Sequence, residues 1–292
     1  MRFIDPTVFA SRRSYAELEL MTAAGLVAVV EPSTIYGAPR RFAETFLDDY
    51  ERLIGPERQR ARKLGLGYAT AVGVPAAEAN NPAIATRVLD MLPGYLAQEA
   101  VVAVGEIGLE QGTEAEERVF VRQLRLARQA SLPVIIAAPT RDRREGLLRT
   151  ISLLLEEGMP ANHVLINGVA EDTLPLVRGY GSWYGLTIDA ETHLSPTRAA
   201  QLLRHAGVEG AMIHSAAGRI HGDPLAVPRT ARALLQAGFP AEEVERLTYH
   251  NPKWFFSQGR PLPLPVAQQV MRSDRAAAAG NGHLPPVAVM IR

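Results

Sequence analysis

Val101-Val102-Ala103-Val104-Gly105-Glu106-Ile107-Gly108-Leu109-Glu110 is an apolar run, rich in β-branched residues, that meets a carboxylate at Glu106 between Gly105 and Gly108. A strand buried on both faces reads this way, because a parallel strand covered by helices has no polar side to display. The charge at its carboxyl end marks the place where such a sheet meets a ligand. Runs of the same kind recur before and after it, at residues 3–9, 26–30, 66–74, 132–137, 163–167, 183–188 and 210–214. Helical patterns separate them. Ser14 is a good N-cap for a helix over 15–24, and further helices are expected at 40–54, after Pro82, after Thr113, over 143–157, after Glu171, after Ser195-Pro196 and over 228–237.

Eight strands alternating with helices over about 255 residues predict one α/β domain, a single (β/α)8 TIM-type barrel. A doubly wound open sheet is the competing architecture and would usually need fewer strands. The barrel domain is assigned to residues 1–259. Residues 260–292, with Pro261, Pro263, Pro265, Ala276–Ala279 and Gly280-Asn281-Gly282, have no core-forming period. They read as a Pro/Ala/Gly-rich extended tail that packs on the barrel or on a second copy, which makes a homo-oligomer conceivable.

Composition narrows the function. Lys+Arg and Asp+Glu both number 31, so a near-zero net charge favours neither nucleic acid nor an acidic membrane. The chain has no cysteine, which removes disulfides, thiolate metal ligands and a Cys nucleophile. Neither a G-x-G-x-x-G fingerprint nor a Walker loop is present, so a nucleotide cofactor has no support. Met1 to Pro6 show no signal-peptide architecture, and no apolar run approaches the length of a membrane span. A soluble, cytoplasmic protein acting on a small molecule without a cofactor is expected.

In such barrels chemistry gathers at the carboxyl ends of the strands. Gly105-Glu106-Ile107-Gly108-Leu109, with Pro133-Val134-Ile135-Ile136 about thirty residues later, closely resembles the TatD-like metal-dependent hydrolases of the amidohydrolase superfamily. Asp5-Pro6, Asn80-Asn81-Pro82, Ser215-Ala216-Ala217, Asp223-Pro224 and Asn251-Pro252 with Phe255-Phe256 add to the likeness, which runs over residues 2–259. It is greatest to the TatD-related branch of small biosynthetic operons.

The resemblance implies an H-x-H pair on the first strand, a glutamate on the fourth, histidines on the fifth and sixth and an aspartate on the eighth. Together these would hold one or two divalent metals that activate water. At those places this sequence has Thr7 and Phe9, Glu106, Ala137 (with Thr140 nearby), Gly168 or Asn167, and Gly218. Only the glutamate persists, and one carboxylate cannot hold zinc against water. The metal site therefore reads as lost.

Three functional readings follow. In the first, the barrel has been repurposed for metal-independent acid/base chemistry (isomerisation, elimination or cyclisation) on a small biosynthetic intermediate. Glu106, His214 and Asp189 are then the catalytic candidates, and Arg12, Glu31, Thr140, Arg141, Asn167 and His193 the substrate-binding ones, with Arg12 and Arg141 gripping an anion. The second is a non-catalytic pseudoenzyme that binds a small molecule or a protein partner. The third is a hydrolase with a metal site rearranged among Glu31, Glu106, Asp189, His193 and His214. Each residue also has a structural alternative, Glu106 as an acceptor of loop hydrogen bonds and His214 as a satisfied core histidine.

Overall fold

The computed structural model describes residues 1–35, 38–189, 194–218 and 222–265. Eight strands form one sheet in sequence order: β1 (Phe3–Asp5), β2 (Leu26–Pro32), β3 (Gly67–Val72), β4 (Val101–Gly108), β5 (Val134–Ala137), β6 (Val164–Asn167), β7 (Trp183–Thr187) and β8 (Ala211–His214). Every neighbouring pair is parallel. Beyond the ends of β8 and β1 the ring is drawn together by Ala216 N–H donating to Thr7 O at 2.9 Å and Phe9 N–H donating to Ala217 O at 2.7 Å. The architecture is the expected (β/α)8 TIM-type barrel.

The continuous apolar runs are explained by two cores. Ile4, Ala28, Val30, Ala69, Ala71, Val102, Ile135, Leu165 and Met212 fill the barrel interior. Val29, Val72, Val101, Val104, Ile136 and Ile166 instead face the surrounding helices. Neighbouring residues of the strands thus meet different apolar layers, and within β3 the buried Thr70 hydroxyl is satisfied by the Glu31 carbonyl at 2.7 Å.

Local signals set the helices. Ser14 makes a full capping box with Glu17 at the start of Tyr15–Ala23, and Asn81, Thr113 and Ser195 cap Pro82–Leu96, Glu114–Gln129 and Pro196–Ala206 through their side-chain oxygens. The helix expected over 40–54 is instead Ala43–Arg52, continued through a wider turn at Leu53–Glu57 into Arg58–Lys63. Pro56 lies in that turn and has no N–H to give to a regular helical ladder.

The amino-terminal end of the barrel is plugged by the helical stretch Ala241–Glu245, Arg246–His250 and Asn251–Phe256. Its Tyr249, Phe255 and Phe256 join the interior core together with Leu262. Asn251 Nδ2 donates to Ala211 O at 2.7 Å, tying the plug to the start of β8. His250 provides no side-chain cap to Asn251–Phe256, contrary to the role its place before Asn251-Pro252 suggests. Of the tail, residues 260–265 lie across this base, with Arg260 donating to Leu96 O at 2.9 Å and to Gln98 O. Residues 266–292 fall outside the described residues.

Candidate functional site at the barrel mouth

With the base plugged, the opening lies at the carboxyl ends of the strands. A cavity of about 630 Å³ opens there, a size suited to a small molecule. Its floor comes from strand ends. Glu106 stands two residues before the end of β4, Asn167, Thr187 and His214 are the last residues of β6, β7 and β8, and Thr7 follows β1 by two. These side chains are nearly buried, with Glu106 8% and Asn167 3% exposed.

One amide organises the floor. Asn167 Nδ2 donates to Thr7 Oγ1 at 2.9 Å and to Glu106 Oε1 at 3.2 Å, while the Thr7 hydroxyl donates to Pro6 O at 2.7 Å. Turning the amide over would set its oxygen against a carboxylate, so the orientation is fixed by its partners. On the neighbouring strands, Thr187 Oγ1 and His214 Nε2 are 3.2 Å apart. Gly185 on β7 lets the two sets approach. A Cβ there would lie 2.1 Å from Asn167 Oδ1 and 3.0 Å from His214 Nε2, so any side chain would displace both.

Two further carboxylates sit behind this floor, and each has a tight set of donors. Asp5 is fully buried, and its Oδ1 accepts from Thr7 N–H at 3.3 Å and Ser215 N–H at 3.2 Å, its Oδ2 from the Ser215 hydroxyl. Burial pushes its pKa up to about 7, although these hydrogen bonds act in the opposite direction. Glu31, at the end of β2, accepts from Ser11 N–H at 2.9 Å, from the Ser11 hydroxyl and from Tyr68 OH at 2.9 Å. Burial raises it to about 7 as well, against the same kind of hydrogen bonding.

Of the residues singled out in the sequence, Glu106, His214, Asn167 and Thr140 are brought together on the cavity wall. Thr140 donates from its N–H and hydroxyl to Glu110, which also lines the cavity. The others go elsewhere. Glu31 is enclosed by Ser11 and Tyr68. Arg12 donates to Ile35 O at 2.9 Å and Gly218 O at 3.3 Å, with its guanidinium over the Phe9 ring. Arg141 lines a separate hollow with Glu145 and Arg149. Asp189 follows β7, its N–H donating to Leu194 O at 3.1 Å, and is not on the cavity wall. His193 lies outside the described residues.

Sequence reading passed over Thr187, Glu171, Asp172, Arg143 and Arg198, all of which line the cavity. Thr187 obeys the strand-end rule and was hidden only because the apolar run continues through Ile188. The other four come from connections and helix starts, where charge is ordinary and carries no local signal. Of the two residues at the H-x-H place, Thr7 is on the cavity wall and Phe9 is not, whereas Ala137 is on it.

The family's metal centre does not fit these residues. Thr7, Ala137 and Gly168 line the mouth where histidines would be needed. After the eighth strand Ala216, and not Gly218, is on the cavity wall. Gly218 lies against Phe9, so closely that a Cβ on it would be 2.4 Å from Phe9 Cβ. Among the described residues no three His, Asp or Glu side chains are grouped so as to hold a metal ion.

Comparison with known proteins agrees with the barrel fold. Residues 46–176 match the family described as TatD related DNase. An uncharacterized metal-dependent hydrolase of Methanocaldococcus jannaschii is 29% identical over 256 residues, 87% of this chain and 99% of that one. The chain is similar to TatD-like proteins. The barrel of this TatD-like chain superposes on a TatD-like protein of Archaeoglobus fulgidus with a TM-score of 0.72, at 24% identity over 87% of this chain and 99% of the other. A TatD homolog of Escherichia coli gives a TM-score of 0.64 at 18% identity, over 87% and 98%. At such identities the two structures speak for the fold, and the chemistry rests on the mouth residues of the TatD-like chain itself. None of its helices within the described residues is long and apolar enough to cross a membrane.

Proposed function

We propose that this TatD-like barrel performs metal-independent acid/base chemistry on a small molecule, with Glu106 moving the proton. The observation that carries the reading is the environment of Glu106. It is a buried carboxylate on the floor of a cavity of about 630 Å³, with one oxygen fixed by Asn167. A carboxylate held in one orientation beside a substrate is the arrangement general acid/base catalysis needs, and such a group supplies about 10²–10⁴-fold in rate. His214, hydrogen-bonded to Thr187, is the second proton-carrying group in the same cavity. Isomerisation, elimination and cyclisation by proton transfer are the reactions this equipment suits.

Hydrolysis at a rearranged metal site is the second reading, favoured by the name of the Methanocaldococcus relative. Against it stands the donor set: among the described residues no three His, Asp or Glu side chains are grouped so as to hold a metal ion.

The test is solvent deuterium exchange. The protein is incubated in D₂O with pools of small amines and carboxylates, and carbon-bound protons are followed by NMR. Enzyme-dependent wash-out of one proton, slowed about a hundredfold or more in Glu106→Gln, is expected. Exchange that persists unchanged in Glu106→Gln removes Glu106 from the chemistry.

A further inference from the structure

We infer that Glu110 is a substrate-facing residue of the mouth and that Glu116, which is not on the cavity wall, is the residue that positions it; this deepens the reading of the mouth as an active site and rests on it. Glu116 is fully buried. Its Oε2 accepts from three consecutive backbone N–H groups, those of Glu110 and Gln111 at 2.9 Å and that of Gly112 at 3.0 Å. Its Oε1 accepts from Asn80 Nδ2 at 2.8 Å. Successive N–H groups converging on one point form the kind of concavity that binds an external anion. Here a side chain of the same chain fills it.

Burying a carboxylate is costly unless donors meet its oxygens, and four donors meet this one. What they secure is the connection from β4 to the helix Glu114–Gln129. Gln111 and Gly112 in that connection are exposed, so burial does not fix it. Of residues 109–113, Glu110 alone is on the cavity wall.

The head of Glu110 is fixed as well. Thr140 donates to one carboxylate oxygen from its N–H at 3.1 Å and to the other from its hydroxyl. Asn80 follows β3, Glu110 follows β4 and Thr140 follows β5, so one chain of hydrogen bonds joins three neighbouring connections at the mouth. A carboxylate held at both backbone and head loses little rotamer freedom when it meets a ligand, which is what substrate positioning requires. Each of its oxygens accepts more than one hydrogen bond, so it can take a donor group of the substrate besides Thr140.

The experiment reads amide hydrogen exchange in the full-length protein and its variants. Glu116→Leu, which removes both acceptors, should speed exchange at Glu110, Gln111 and Gly112 about a hundredfold and leave β4 unchanged. Glu116→Gln keeps an acceptor for the three N–H groups and should show a smaller loss, within about tenfold, at the same residues. Unchanged protection there, or a loss spread evenly over the barrel as a merely structural role would give, overturns the proposal. If Glu116→Leu does not fold, Glu116→Gln decides by the same criterion. The second readout is the compound from the amine and carboxylate pools whose proton the parent washes out in D₂O. Glu110→Gln and Glu116→Leu should raise its half-saturating concentration about tenfold, more than they lower the saturated rate, and Glu116→Gln should restore most of the loss. A half-saturating concentration equal to the parent's in Glu110→Gln overturns the substrate-facing role. Absence of any washed-out compound would remove the reading of the mouth, and that role with it, while amide exchange still decides whether Glu116 holds the connection.

Discussion

Asn167 binds Glu106 and Thr7 through the same amide nitrogen, at 3.2 Å and 2.9 Å, and so joins β4, β6 and the end of β1 across the barrel mouth. Asn167→Asp replaces that donor with a second carboxylate facing the first. Like charges at this distance in a buried place resist joint ionisation. The variant should lose about 1–3 kcal/mol at pH 8 relative to the parent, and the deficit should shrink at pH 5, where one proton can be shared. Denaturant unfolding of both proteins at the two pH values reads this. A deficit independent of pH would mean that position 167 acts through shape alone.

Gly218 is locked by its neighbour. Its φ is +113°, and a Cβ would be 2.4 Å from Phe9 Cβ and 2.7 Å from Phe9 O. Gly218→Ala should therefore destabilise the fold by about 1–3 kcal/mol, from strain and overpacking together. A melting temperature equal to that of the parent would show that Phe9 yields freely.

Stability should fall as the solution is made more alkaline from pH 5 to 8. Asp5 and Glu31 are both raised to about 7 from ordinary values of 3.8 and 4.5, chiefly by burial. In that interval the folded chain holds protons that the unfolded chain has released. Their stabilising effect is complete below about pH 4 and is lost as pH rises through 7. Asp5→Asn and Glu31→Gln should each flatten the profile, and the double variant should flatten it most. A melting temperature that rises across this range in the parent would contradict the assignment.

The plug at the barrel base contributes through both packing and anchoring. Phe256→Ala should cost about 3–5 kcal/mol, since the ring is fully buried in the interior core. Asn251→Ala leaves the Ala211 carbonyl without its donor and should cost about 1–3 kcal/mol. Thermal unfolding of the two variants checks both values, and a change in Phe256→Ala below 1 kcal/mol would mean that the base is not part of the core.

The barrel was legible because each strand is buried on both faces. Val101 to Gly108 could only be an interior strand, and the caps Ser14, Asn81, Thr113 and Ser195 punctuate the helices with local chemistry. Glu106, Asn167 and His214 were legible for the same reason, as polar residues ending apolar runs. What stayed hidden depends on where side chains turn after the strand ends. Phe9 and Thr7 alternate along one segment, yet only Thr7 reaches the cavity. Glu31 ends its strand as Glu106 does, but Ser11 and Tyr68 close over it. Arg12 and Arg141 were equally exposed to misreading, because backbone carbonyls and a neighbouring hollow take them away from the mouth.

Loss of the metal centre is the claim on which the rest depends, and metal content tests it most directly. The full-length protein, produced in medium supplemented with zinc and manganese and purified without chelator, is analysed by elemental mass spectrometry and by melting with and without added metal. Thr7, Ala137, Gly168 and Ala216 on the mouth wall predict metal well below one ion per chain and no change in melting temperature on adding it. One tightly held divalent ion per chain, raising the melting temperature and released only by chelation, would contradict it.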